Sequence, residues 1–350
     1  MKLFNILFTL FGVVTVIFFL FQILPGDPAR MMMDQNEDVE QLEIIKKKYG
    51  FDEPILKQYL YYLNDLSIIS IHSKNPEKIN FIRENKYSFT KIYEFQNSTL
   101  VLKFPYLRES YQRRGVKVST IIMDTFPNTV VLAISSILFA TVFGLLLGIL
   151  SALYKETLFD NSIQLFSTFG MSMPSFLSSI IFAWIFGFVL ADITGLNMTG
   201  SLFELDDFGD EYRLELKNLI LPSIVLGIRP IAVISMMMRN SLIETLKKNY
   251  VITAYAKGLS KSKVILNHCL KNSLNPVITA LSGWFASLLA GSVFVEYIFG
   301  WNGLGREIVN SLNLLDVPVI IGAVIVVSFS FIMINIFVDY IYKFLDPRIS

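Results

Sequence analysis

The chain has a single cysteine, Cys269, in 350 residues. That excludes an internal disulfide framework and a zinc cluster built on thiolates. A lone cysteine in an apolar helical segment is read as a small packing residue. Histidine is almost as scarce: His72 and His268 are far apart in sequence and form no two-histidine helical metal site. No Gly-x-x-x-x-Gly-Lys-Ser/Thr loop occurs, so the chain does not bind ATP by that route. No Gly-x-Ser-x-Gly elbow occurs either. These absences argue against an enzyme. Charge is also sparse, at 17% of residues against about 25% in soluble domains. Lys plus Arg (30) nearly equals Asp plus Glu (29), so only the placement of charge is informative.

Long apolar runs dominate what is present. Leu3 to Leu24 follows Lys2 and leaves through Pro25-Gly26-Asp27-Pro28. About 20 apolar residues cross a hydrocarbon core of about 30 Å. This run is longer than a signal-peptide core and ends at a helix stop, so an uncleaved first span over 1–24 is expected. Five further apolar segments follow: Pro127–Tyr154, Ser162–Leu190, Leu219–Met238, Asn272–Val295 and Val317–Val338. Only the third of these carries a charge, Arg229. The expectation is an all-α membrane protein with six transmembrane helices, because each span must satisfy its own backbone polar groups.

Between the first two spans lies the long polar region, expected over 25–126 and outside the membrane core of 127–350. Helical periodicity shows in Val39–Tyr49 and Ile55–Leu66. From His72 to Phe104 the pattern becomes irregular and aromatic, compatible with a few short strands.

Loop charge sets the expected orientation. Arg239–Pro276 holds seven Lys/Arg against one acid, Glu244, while Ala191–Asn218 holds seven acids against two bases. The positive-inside bias puts the first loop in the cytoplasm, the second outside and both termini inside, so that the polar region 25–126 is expected to be extracytoplasmic.

Ion-coupled carriers place Asp, Glu or His within their spans, and these spans hold almost none; Glu296 is expected at a membrane edge. Arg229, followed by Pro230, has two readings: a path-lining cation that meets an anionic group on the solute, or a side chain satisfied by carbonyls freed at a Pro230 kink. Pro174 breaks the third span near its middle, beside a cavity or as simple accommodation. Gly144 and Gly148 form a small-xxx-small face for close helix approach, and Met236–Met238 reads as flexible core filling.

The basic loop has internal structure. Arg239–Lys257 continues the fourth span as helix, Gly258 interrupts it, and Ser260 suits the N-cap of a following helix. Small residues Ala254 and Ala256 near the bend would let another surface approach. On charge alone, such a loop also suits anionic lipid head groups.

At this loop the sequence resembles the inner-membrane permeases of ABC importers, specifically the dipeptide/oligopeptide/nickel group. Tyr250-Val-Ile-Thr-Ala-Tyr-Ala-Lys-Gly-Leu-Ser260 is similar to that family's EAA-type motif. Pro25-Gly-Asp-Pro28, Tyr49-Gly-Phe-Asp-Glu-Pro54 with Gln58-Tyr59, Glu296-Tyr-Ile-Phe-Gly-Trp-Asn-Gly-Leu-Gly305 and Leu345-Asp-Pro-Arg348 also fit, in order. The chain departs in having Asn302 where the family has Pro and Ile252 where it has the EAA acid, and 72–104 looks like an insertion.

The resemblance implies the type I importer permease fold and a non-enzymatic path for di- or oligopeptides, or alternatively for nickel or a metallophore. It implies a homologous second permease, two ATP-binding subunits that alone bind the nucleotide, an external binding protein, surrounding lipid, and no nucleic acid. A bacterial cytoplasmic membrane follows. The coupling loop would occupy 239–276, with Thr253, Ala254, Tyr255, Ala256, Lys257, Gly258, Leu259 and Ser260 at the docking bend. The path candidates are Arg229, Pro230 and Pro174.

Overall fold

The computed structural model describes residues 2–23, 27–33, 39–76, 78–82, 88–206 and 209–345. Pro25–Gly26 and Asp346–Arg348, from two of the resembling stretches, lie outside the described residues, as does Leu24 at the end of the first expected span. The chain divides into two compact units, one of 1–124 with 308–328 and one of 125–307 with 329–350.

The first unit begins with the apolar helix α1 (Lys2–Ile23). Helices α2 (Val39–Tyr49) and α3 (Ile55–Leu66) fall on the two periodic segments. Lys46–Lys48 in the last turn of α2 complement its negative end. Gly50 then ends the helix at φ +75°, while Phe51 N–H closes back on the Lys46 carbonyl at 2.9 Å. Val14 and Phe18 of α1 bury against Tyr59 and Tyr62 of α3 and against Ile321. The Thr15 and Tyr59 hydroxyls meet at 2.6 Å.

The irregular aromatic region forms an antiparallel sheet of β1 (Ile69–Ser73), β2 (Phe89–Glu94) and β3 (Ser98–Lys103), in the order β1-β3-β2. Its register pairs Ile69 with Leu102 and Phe89 with Lys103. Ser70, His72, Thr99 and Val101 are buried. Nearby, Arg108 and Asp65 form an ion pair at 2.8 Å, and the Tyr111 N–H and the Ser110 hydroxyl both donate to the Asp316 carboxylate.

The second unit contains α5 (Leu158–Ser172), α6 (Ser175–Trp184) with a π-helical turn over Ile185–Val189, and α7 (Lys217–Leu246). Preceding them is α4 (Val118–Leu153). A hairpin of β4 (Phe203–Leu205) and β5 (Tyr212–Leu214) lies between α6 and α7 in sequence. Then come α8 (Asn249–Ala256), α9 (Lys261–Ser273, π-helical over Ile265–Cys269), α10 (Asn275–Gly291) and α11 (Val293–Phe299). The chain closes with α12 (Leu304–Asn313) and α13 (Val317–Leu345).

Three described helices are long and apolar enough to cross a membrane: α4, α7 and the Val317–Val338 stretch of α13. Two bent pairs add up to two more spans: α5 with α6 and its π turn, at 110°, and α9 with α10, at 49°. The apolar part of α1, Ile6–Gln22, is shorter. Six spans are therefore reached only by counting both bent pairs and α1.

The 110° break is more than a kink. Met173 precedes Pro174 and is extended at ψ 130°, as steric clash with the proline ring requires. The small-xxx-small face is used inside this chain. An added Cβ at Gly148 would lie 2.6 Å from the Ser235 carbonyl, and one at Gly144 2.8 Å from the Ile234 Cβ. Both glycines let α4 approach α7 closely. Met238 is fully buried there whereas Met237 is exposed, so core filling holds for only part of that cluster.

Candidate coupling loop and the Arg229 pocket

Helix α7 stops at Leu246 rather than running on to Lys257. Lys247 and Lys248 sit at its carbonyl end, where cations are favoured, and Lys248 turns extended at ψ 145°. The separate helix α8 follows. Its Val251 and Ala254, one turn apart, are buried against Leu242, Val264, Cys269 and Val277. Cys269 is thus a packing residue. Tyr250, Ile252, Thr253, Tyr255, Ala256 and Lys257 are exposed on the rest of α8 and its end.

The bend has a defined stop. Gly258 lies at φ +76°, its N–H donates to the Tyr255 carbonyl at 2.9 Å, and the Leu259 N–H reaches the Ala254 carbonyl at 3.4 Å. These two bonds close a left-handed helix end, with half-buried Leu259 packed on the same cluster as Ala254. Ser260 has the extended backbone of an N-cap, but its side chain makes no capping bond. Lys261 and Lys263 after it are exposed.

One expectation is corrected here. The close approach that Ala254 permits is to this chain's own core, because its position on α8 faces inward; the outward small residues are Ala256 and Gly258.

A charged pair at the base of the same region was not anticipated. Arg239 donates to Asp160 through Nε at 2.7 Å and Nη2 at 2.6 Å, and Asp160 is fully buried. The Ser151 hydroxyl, the Glu156 N–H and the Gln164 amide also donate to this carboxylate. Each partner borders an apolar segment in sequence, Asp160 two residues before Ser162 and Arg239 directly after Met238. That flanking position was the available signal.

Glu296 is likewise fully buried within the chain. Ser292 Oγ donates to it at 2.7 Å, as do the Gly305 N–H at 2.7 Å and the Arg306 N–H at 3.2 Å. A side chain at Gly303 would collide with the carboxylate. Trp301, fully buried, donates its indole N–H to the Asn128 carbonyl at 3.0 Å.

Arg229 lies half-buried on α7 beside Pro230, which is buried within that helix. Its Nε and Nη2 donate to the Met173 carbonyl at 3.3 and 3.1 Å. The carbonyl that satisfies it is thus freed by the Pro174 break, not by a Pro230 kink. A cavity of about 290 Å³ occupies the first unit, and a smaller one of about 100 Å³ lies beside Arg229, lined also by Met173, Ser175, Ser178, Trp284 and Ser287. The structure therefore joins Arg229 to the Pro174 break, while Pro230 does not line that cavity.

Residues 144–350 match the family described as the binding-protein-dependent transport system inner membrane component. Residues 1–81 match that system's membrane component N-terminal family. The chain belongs to this family. It is 32% identical to the Di/tripeptide transport system permease protein DppB of Pseudomonas aeruginosa, over 97% of this chain and 95% of that protein. It is 29% identical to the Glutathione transport system permease protein GsiC of Escherichia coli K12, over 99% and 97%. Among solved structures, the MetNI methionine ABC transporter in inward-facing conformations superposes with a TM-score of 0.53 at 15% identity, over 65% of this chain and 97% of that one. The fold is that of a type I ABC importer permease. Members of this family are inner-membrane transport permeases rather than enzymes.

Proposed function

We propose that this chain is one permease subunit of an ATP-driven importer of di- and oligopeptides. It pairs with a second homologous permease, receives solute from an external binding protein, and is driven by two ATP-binding subunits docked on α8. Relatives named for di/tripeptide, dipeptide and glutathione transport support the peptide cargo; none of these names supports nickel or a metallophore.

The observation that carries the docking assignment is the construction of α8. A helix of two turns is pinned by Val251 and Ala254, closed by Gly258, and left with Ile252, Tyr255 and Lys257 outside. A pinned, closed helix transmits displacement as a rigid lever into α7 and α9; a loop resting on lipid needs no such stop. The docking set is Thr253, Tyr255, Ala256, Lys257, Gly258, Leu259 and Ser260, with Ala254 as its internal anchor. On this reading the loop 239–276 and both termini are cytoplasmic, ATP belongs to the partners, and the path runs past Arg229 and Pro174. The region 25–126 stands outside the 127–350 core, and its 72–104 part enlarges the surface offered to the binding protein.

Reconstitution tests this. Vesicles holding only this chain should import no peptide under any ion gradient. Adding the second permease, the ATPases and the binding protein should give ATP-dependent uptake. Gradient-driven uptake by this chain alone would overturn the assignment.

A further inference from the structure

A charged side chain within a membrane span is costly and needs a partner or an aqueous path. Arg229 has only half of one. Nε and Nη2 meet the Met173 carbonyl, leaving Nη1 with no partner among the described residues. The cavity beside it, about 100 Å³, is lined by no acidic residue. Among the described residues, three further donors on its wall, the Trp284 indole N–H and the Ser175 and Ser287 hydroxyls, make no side-chain hydrogen bond, while the Ser178 hydroxyl donates to the Pro174 carbonyl at 3.3 Å.

The walls add to this bias. Helix α6 begins at Ser175 with no side-chain cap, so its first N–H groups are unsatisfied and carry the positive end of the helix dipole. Interrupted membrane helices present such ends to anionic groups of a solute. The volume suits a group of a few heavy atoms, since one water occupies about 30 Å³ of liquid. Trp284 and Ser287 also line a neighbouring groove of about 310 Å³, with Thr279, Ala280 and Gly283. Gly283 has nothing within 4 Å of an added Cβ.

We propose that this pocket is a carboxylate subsite on the translocation path, where Arg229 Nη1, Trp284 Nε1 and the Ser287 hydroxyl hold the C-terminal carboxylate of a passing peptide. The inference rests on the peptide-importer reading above. A cation already half satisfied by a backbone carbonyl holds the anion without a full salt bridge, so the cargo is guided and released.

The test is uptake of di-alanine and di-alanine amide by the complete reconstituted complex, each at saturating occupancy of the binding protein. Arg229→Gln should lower uptake of the acid about tenfold or more, as loss of a hydrogen bond to a charged group does, and leave the amide unchanged. Arg229→Lys should recover part of the loss. Ser287→Ala, at an exposed position on α10, keeps the cation and should show a smaller loss, again for the acid only. An equal fall for acid and amide would make Arg229 a helix cap and overturn the subsite. Wild-type uptake of peptide with no response of the acid to either Arg229→Gln or Ser287→Ala would overturn the subsite alone. No peptide uptake by the wild-type complex would overturn the peptide reading, and the subsite with it.

Discussion

Asp160 decides what the base of the coupling region tolerates. Its carboxylate is fully buried and receives both arms of Arg239. Removing one partner of a buried pair strands the other charge, at a cost of about 3–5 kcal/mol. Asp160→Asn should therefore lower the thermal midpoint of the detergent-solubilised complex by several degrees, and Asp160→Ala by at least as much. An unchanged midpoint for both would show that the pair contributes nothing.

His72 sets a pH dependence in the outer sheet. Burial, chiefly, and then Lys103 hold its imidazole below the usual range, opposed by its bond to the Asn80 carbonyl and by Asp65. The folded sheet keeps His72 neutral, while the unfolded segment takes up a proton below about pH 6.5. Stability from this group is present above that pH and falls as the pH drops toward the lower folded pKa. Burial likewise brings Lys103 down to about 8, so its contribution grows from about pH 8 to about 10.4, where the unfolded lysine finally deprotonates. Amide exchange of peptides from 69–103, corrected for intrinsic rate, should report weaker protection at pH 5.5 than at pH 7.5. Equal protection would mean that His72 does not titrate with unfolding.

Among the elements, those with a clean period were legible in advance. Val39–Tyr49 and Ile55–Leu66 form helices at the bounds their apolar spacing indicates, since amphipathic faces announce themselves locally. The stop at Gly258 was equally readable, because glycine is the residue that adopts a left-handed helix end without strain. The break at Lys247–Lys248 was not: lysine is a good helix former, and only packing of Val251 and Ala254 on the core favours a separate helix. The 110° turn at Pro174 was visible as a break, but its angle is set by what α5 and α6 pack against.

Two element-scale variants follow. At Gly258 a new side chain meets nothing within 4 Å, so the penalty lies in the backbone alone. Asn, which tolerates the left-handed region, should retain transport; Val, which does not, should uncouple ATP hydrolysis from uptake while membrane insertion is unaffected. Equal coupling in the two variants would remove the stop from the mechanism. At Gly148, Leu would drive into the Ser235 carbonyl and Met238, prising α4 from α7. Its expected signature is a loss of assembled complex, measured as the fraction co-eluting with the second permease, and full assembly would contradict the close approach.

At the scale of the whole molecule, the sequence disclosed class and family more readily than contacts. Uncharged runs near 20 residues specify spans wherever they fold, and the ordered motifs between Tyr49 and Gly305 specify the family. Asp160–Arg239, the Met173 carbonyl under Arg229 and the buried Glu296 depend on residues 79, 56 and 9 positions apart. Side chains that meet only after folding leave no local pattern, and Glu296, nine residues from its partner, was disguised by its place at the end of an apolar run.

On the proposed function, α8 touches an ATPase and not the lipid surface. Photo-crosslinking from Tyr255, exposed on α8, measures this directly in the assembled complex. A benzophenone side chain there should yield an adduct with the ATP-binding subunit, whereas the same group at exposed Leu165 on α5 should not. Adducts from Tyr255 with lipid alone would contradict the account.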